Sequence, residues 1–220
     1  MNRITATELA ELEALLAEGC PMTVIAAMQE TDSTLLLAGD RGGKETPGIW
    51  TQFPCKLTER PNTSLAFGWA GNPTLAEAFQ SWFLASQALT WEDFIVDAVE
   101  QLAGINGNAR RLVTKAGVKP TNDHVVTVLV VGWLDGVPNI IEIDNEGQWF
   151  SYLQQGFQAI GSGKLAVQFG YDALKEVDFQ PSHFKMLRIM EVAAMRMPDC
   201  GVPIDIWRLP KDGKIEVLSK

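Results

Sequence analysis

The stretch MTVIAAMQETDSTLLLAGD, residues 22–40, decides the fold. Residues 23–28 are β-prone and apolar, 30–33 are polar turn material, and 34–38 are apolar again. That pattern predicts a β-hairpin. Thr23 opens the first strand, and Asp40 follows Gly39 at the end of the second. Antiparallel pairing therefore brings a hydroxyl and a carboxylate together at the open end of the hairpin.

Downstream, residues 41–54 are rich in Gly, Pro and Lys and predict a loop. Residues 55–58 predict a short strand carrying Lys56, and 64–70 a further strand. Gly71-Asn72-Pro73-Thr74 is a strand-to-helix junction, with Asn72 as N-cap and Pro73 as first helical residue. Helices are predicted over 74–88 and 91–103, and their aromatic stripe (Phe79, Trp82, Phe83, Phe94) is read as core. Residues 104–122 are polar and predict a loop, with Arg110, Arg111, Lys115 and Lys119 on a solvated face. The apolar run 125–133 predicts a strand buried on both sides. Asp135-Gly136 is a hairpin turn leading to strands over 139–144, 149–153 and 157–160. Helices over 164–175 and 182–197, the second capped by Ser182, precede strands over 204–209 and 215–218.

Runs of strands and runs of helices are segregated, which predicts antiparallel pairing rather than βαβ repeats. Two helix pairs can cover the outer faces of two sheets. The expected fold class is α+β, a four-layer αββα sandwich of two antiparallel sheets. Upstream of the hairpin, residues 5–18 predict a helix with a Thr5–Glu8 capping box and Leu9, Leu12 and Leu16 on one face. Gly19 and Pro21 end it. Residues 1–21 are thus set apart as an N-terminal extension: a docking helix, a removable propeptide, or a consequence of an upstream start codon. The single domain begins at residue 22 and runs to 220.

Composition narrows the function. A net charge of -9 disfavours nucleic acid and anionic membrane as partners, since both call for basic patches. No apolar run reaches the ~18 residues of a membrane span, and residues 1–21 lack the pattern of a secretory signal. Cys20, Cys55 and Cys200 are odd in number and widely spaced, as suits reduced thiols in a cytoplasmic protein. His124 and His183 stand alone, so neither metal nor cofactor is expected.

Lys56, between Cys55 and Leu57, can pair with Asp40 once buried, because a buried lysine calls for a partner. A Lys–Asp pair beside a hydroxyl can assist proton transfer and stabilise developing negative charge. Gly71, where a strand enters a helix, can offer a backbone N–H to an oxyanion. Ser162 and Asp199 sit at two later junctions.

Several segments, in this order, resemble the proteasome-type N-terminal nucleophile hydrolases, the HslV-like and proteasome β-subunit-like family. They are MTVIAA (22–27), LLLAGD (35–40), Lys56, LAFGWAGNPTLAEAF (65–79), AIGSGKLA (159–166) and PDCGVPIDIWRL (198–209). The interval 56 − 40 = 16 also suits the family. The resemblance implies a threonine-type peptidase acting on peptides or unfolded proteins, in a homo-oligomeric ring, with an ATPase among its implied partners. Thr23 would be the mature N-terminal nucleophile, with its own amine as general base. Asp40 and Lys56 would be its acidic and basic partners, Gly71 the oxyanion donor, and Ser162 and Asp199 the pair that orients the amine. The chain departs from the family in having Val24 where a second Thr is usual, and in not beginning at Thr23. An alternative register places Met22 at the nucleophile position and implies an inert subunit for assembly or scaffolding. Cys20 is a rival nucleophile, disfavoured because Pro21 follows it. A small amidase of the same broad hydrolase type is a further alternative.

Overall fold

The computed structural model describes residues 5–17, 23–42, 55–176, 181–197 and 200–219. Helix α1 is Ala6–Ala17. The hairpin pairs β1 (Val24–Thr31) with β2 (Thr34–Asp40) in antiparallel register, Ile25 opposite Gly39. Strands β3 (Leu57–Glu59) and β4 (Leu65–Gly71) follow, then α2 (Pro73–Ala85) and α3 (Trp91–Lys115). Strands β5 (Val126–Leu134), β6 (Val137–Ile143), β7 (Trp149–Ser151) and β8 (Phe157–Gly161) come next. Helices α4 (Lys164–Leu174) and α5 (Ser182–Arg196) lead to β9 (Ile204–Pro210) and β10 (Glu216–Ser219).

Among the described residues two five-stranded sheets result, with orders β10-β9-β2-β1-β8 and β3-β4-β5-β6-β7. Every strand pair is antiparallel. The near-continuous apolar strands follow from burial on both faces, since alternate side chains serve different layers. From β1, Val24, Ala26 and Met28 join Met186 and Met190 of α5, whereas Ile25 and Ala27 join Leu129 and Val131 of the opposite sheet. The other outer layer packs Phe79, Phe83, Phe94 and Leu102 of α2 and α3 against Phe67, Val128 and Val130. The architecture is the αββα sandwich, and the aromatic stripe is core.

Local signals explain most boundaries. Asn72 caps α2, its side chain accepting from the Leu75 N–H at 3.3 Å, with Pro73 in the first turn. Asp135 and Gly136 both take positive φ, the backbone of a type I′ hairpin turn. The Thr5–Glu8 capping box forms, the Glu8 carboxylate accepting from the Thr5 N–H at 2.9 Å and Thr5 Oγ1 accepting from the Glu8 N–H at 3.2 Å.

Residues 104–115 are helix rather than loop. Gly104 and Gly107 lower local propensity, but Leu102, Asn106, Ala109, Leu112 and Val113 recur at helical spacing and are all buried. Tertiary burial outweighs the glycine cost. Asn106 fastens the helix to β5: its Nδ2 donates to the Val126 carbonyl at 2.9 Å and its Oδ1 accepts from the Val126 N–H at 2.9 Å. The basic cluster is not simply solvated either. Lys115 and Arg111 donate to the Glu8 carboxylate at 2.6 and 3.3 Å, docking α1 on α3. Lys115 is the main reason that the Glu8 carboxyl is held down to about 2. On α1 itself Leu12 is buried but Leu9 is exposed. At α5 the cap is Pro181, and Ser182 makes no capping hydrogen bond.

Candidate active site

The site forms where β1 begins, because antiparallel pairing returns β2 to that end. Thr23 directly precedes β1 and is buried, as are Asp40 and Lys56. Lys56 lies one residue before β3, in the crossing from the hairpin's sheet to the other. Its Nζ donates to Thr23 Oγ1 at 2.8 Å, to Asp40 Oδ1 at 3.2 Å and to the Gly42 carbonyl at 2.8 Å. Three acceptors match the three N–H donors of an ammonium group.

Asp40 is equally well held. Its Oδ1 also accepts from the Val24 N–H at 2.9 Å, and its Oδ2 accepts from the N–H groups of Gly42 and Gly201, each at 3.0 Å. A buried carboxylate with that many charge-assisted bonds is fixed in place and compensates the lysine. The Thr23 hydroxyl therefore sits against an ammonium group whose position is set from three sides. Such a cation stabilises an alkoxide forming on Thr23 Oγ1.

Behind the threonine, the end of β8 comes very close. A Cβ on Gly161, at φ +90°, would stand 2.0 Å from the Thr23 carbonyl oxygen. Ser162 Oγ donates to that same carbonyl at 3.4 Å. Ser162 is thus beside Thr23, though it reaches the carbonyl side of the residue. Asp199 lies outside the described residues, as do Cys20 and Met22. Gly71 lines the cleft in front of Thr23, at φ +123°. The next N–H, that of Asn72, is committed to the Val125 carbonyl at 2.9 Å. Of the two residues at this junction, Gly71 is therefore the one on the cleft wall.

The cleft has a volume of about 390 Å³. Gly71, Ser162, Asn122, Asp123, Thr127 and Asn145 contribute to its walls around Thr23. Cys55 is no competing nucleophile: burial pushes its thiol up to about 11, so it stays protonated near neutrality. Among the described residues no group of three or more His, Cys, Asp or Glu is placed to hold a metal. No helix among them is long and apolar enough to cross a membrane.

No protein-family model matches the chain, and no curated protein matches it significantly in sequence. Solved structures do match. Eukaryotic HslV from Trypanosoma brucei superposes with a TM-score of 0.58 at 19% identity, covering 86% of this chain and 99% of that one. Anbu (ancestral beta-subunit) from Yersinia bercovieri gives 0.65 at 17% identity, over 90% and 88% of the two chains. An Anbu (Gly-1) mutant from Hyphomicrobium sp. strain MC1 gives 0.63 at 20% identity, over 90% and 87%. This chain has the proteasome/HslV-like fold.

In this HslV-like fold several neighbours of Thr23 carry no sequence signal. Gly42 and Gly201 contribute only backbone groups, and both lie in or beside segments that read as loop. Arg41 is anchored to buried Asp205 of β9 by two bonds of 2.7 Å. That pair pins the chain just past Asp40, and no local pattern relates residues so far apart in sequence. The walls at Asn122, Asp123 and Asn145 come from turns whose side chains read as ordinary turn chemistry.

Proposed function

We propose that the chain is a threonine-type peptidase of the proteasome/HslV type, with Thr23 as nucleophile once its nitrogen is free. The observation that carries this reading is the 2.8 Å bond from buried Lys56 to Thr23 Oγ1, braced by Asp40. In the proposed reaction Thr23 Oγ attacks the scissile carbonyl carbon, and its proton passes to the Thr23 amine. The reference pKa of an α-amine, ~7.7–8.0, suits a base near neutrality. Lys56 stabilises the charge left on Oγ, and the Gly71 N–H serves the tetrahedral oxyanion. The C–N bond breaks, the leaving amine takes the proton, and an ester links the acyl group to Thr23. Water attacks that ester, returns the proton to Thr23 Oγ and releases the carboxylic acid. Ser162 and Asp199 would orient the amine. No cofactor takes part. Substrates would be peptides or unfolded proteins, handled in the cytoplasm by a homo-oligomeric ring to which an ATPase would deliver them.

A second reading is an inert subunit in which the extension is kept. The docking of α1 on α3 through Glu8 favours it, because Met22 still acylates the Thr23 nitrogen in that form. Exposure of Thr23 would come by self-cleavage after Met22, or by translation from Met22 with removal of that methionine. Intact mass of the protein from its native host, with hydrolysis of fluorogenic peptides, separates the readings. A mature chain beginning at Thr23 and hydrolysis lost in Thr23→Ala are expected. A chain that keeps α1 and cleaves no peptide overturns the peptidase in favour of the inert subunit.

A further inference from the structure

The walls of the cleft carry more chemistry than bond cleavage requires. Of the described residues that line it, Asp123 alone is charged. The main chain of Asp123 is tied from both sides. Its N–H donates to Thr121 Oγ1 at 3.3 Å, and its carbonyl accepts from Asn72 Nδ2 at 3.2 Å. The short 3₁₀ turn Asn122–His124 is closed by a capping box, His124 Nδ1 accepting from the Thr121 N–H at 3.0 Å. Held this firmly, the turn sets Asp123, an exposed residue, in the cleft wall. Among the described residues the carboxylate makes no hydrogen bond or ion pair. Arg110 approaches the same region from α3, but its guanidinium donates to Asn145 Oδ1 at 3.1 Å. Lys56 is buried behind Thr23 and already holds Asp40.

We infer that Asp123 is a specificity residue: it selects substrates with a lysine or arginine side chain beside the bond that is cut. The inference rests on the peptidase reading of Thr23 and adds the substrate class to it. A volume of about 390 Å³ falls within the usual range for ligand sites. Thr127, Asn122 and Asn145 supply neutral hydrogen-bonding groups around it, and Val125 the apolar surface on which a lysine or arginine stem can lie. A glutamate or aspartate side chain in the same place meets the Asp123 carboxylate instead, so selection works by repulsion as well as attraction.

The test pairs two readouts on the protein purified from its native host and on its Asp123→Asn, Asp123→Lys and Asp123→Glu variants. One is kcat/KM over fluorogenic tripeptides that differ only in a lysine, glutamine or glutamate next to the scissile bond. The other is binding of the same tripeptides as uncleavable amides, followed by fluorescence anisotropy. For the wild type, preference for lysine over glutamate of about tenfold is expected in both. It should fall to about unity in Asp123→Asn, invert in Asp123→Lys and return in Asp123→Glu, with the change in KM rather than kcat. Circular dichroism on each variant checks folding of a turn substituted only at an exposed side chain. Lysine-selective binding that Asp123→Asn abolishes, with no hydrolysis of any peptide, supports the subsite and overturns the peptidase. Hydrolysis with no dependence on charge or on residue 123 does the reverse. Absence of both binding and hydrolysis overturns both.

Discussion

At the scale of single residues, the site is a buried ion pair built around one hydroxyl. Lys56 and Asp40 share a hydrogen bond, and neither side chain has access to water. Removing one charge from such a pair leaves the other uncompensated, so Lys56→Met should lower unfolding stability by about 3 kcal/mol in urea titrations. The lost activity of that variant would then report the loss of the cation beside Thr23 Oγ1, provided that it remains folded at the assay temperature. Full stability in Lys56→Met would mean that the pair is much less buried than these distances indicate. Gly161 gives a second expectation. Alanine there meets both a left-handed backbone and a main-chain oxygen at 2.0 Å, so Thr23 or β8 must shift. Gly161→Ala should lose hydrolysis and lower the melting temperature, whereas Ser162→Ala, which removes one long bond of 3.4 Å, should melt within a few degrees of wild type.

At the scale of elements, α1 and α3 show how helices are held to this sandwich. Glu8 has its carboxyl lowered from 4.5 to about 2, with Lys115 as the main cause and the Thr5 N–H next. Because the docked value is the depressed one, the contribution to docking is complete above about pH 4.5 and is lost as pH falls through about 2. Amide chemical shifts of residues 6–17 should therefore stay constant from neutrality to about pH 4.5 and move toward undocked values below it. Glu8→Gln should show undocked shifts at neutral pH, and added salt should push the wild type in the same direction. Shifts of Glu8→Gln that match wild type would place the docking elsewhere. Asn106 holds α3 by a different device, using both ends of its amide against Val126. Asn106→Leu should cost about 3 kcal/mol in the same urea titrations, since it leaves a strand N–H and C=O buried without partners.

At the scale of the molecule, the outer helix layer of α4 and α5 is not finished as a solvent surface. Gly170 packs on Ile189, so the two helices lie against each other there. Leu165 and Phe169 on α4 are 69% and 72% exposed, and Val192 and Met195 on α5 are 49% and 80% exposed. These four side chains together present roughly 500 Å², against about 800 Å² per partner in a standard interface. The same two helices carry ion pairs of their own, Asp172 with Lys175 and Arg188 with Glu191. This face is the physical support for the proposed homo-oligomer. Sedimentation should show an assembly for the wild type, and Phe169→Asp with Met195→Asp should weaken it by at least about tenfold in Kd. A wild-type monomer at micromolar concentration would remove the proposed ring.

The sequence by itself determined the layer plan and most elements, because periodicity, turn residues and caps are local signals. The hairpin over residues 22–40 is the clearest case: its apolar–polar–apolar pattern already sets Thr23 near Asp40, and the register of Ile25 with Gly39 delivers it. The cap at Asn72 and the box at Thr5 and Glu8 were legible for the same reason. Tertiary structure decided the rest. Residues 104–115 are helix because burial of one face overrides two glycines and a polar composition, and burial depends on the sheet beneath. Arg111 and Lys115 read as solvated until α1, about a hundred residues earlier, supplies Glu8. Around Thr23 the decisive groups are a carbonyl at Gly42 and N–H groups at Gly42 and Gly201. Every residue but proline carries both groups, so no residue type announces them. Only the approach of distant strands makes them part of the site.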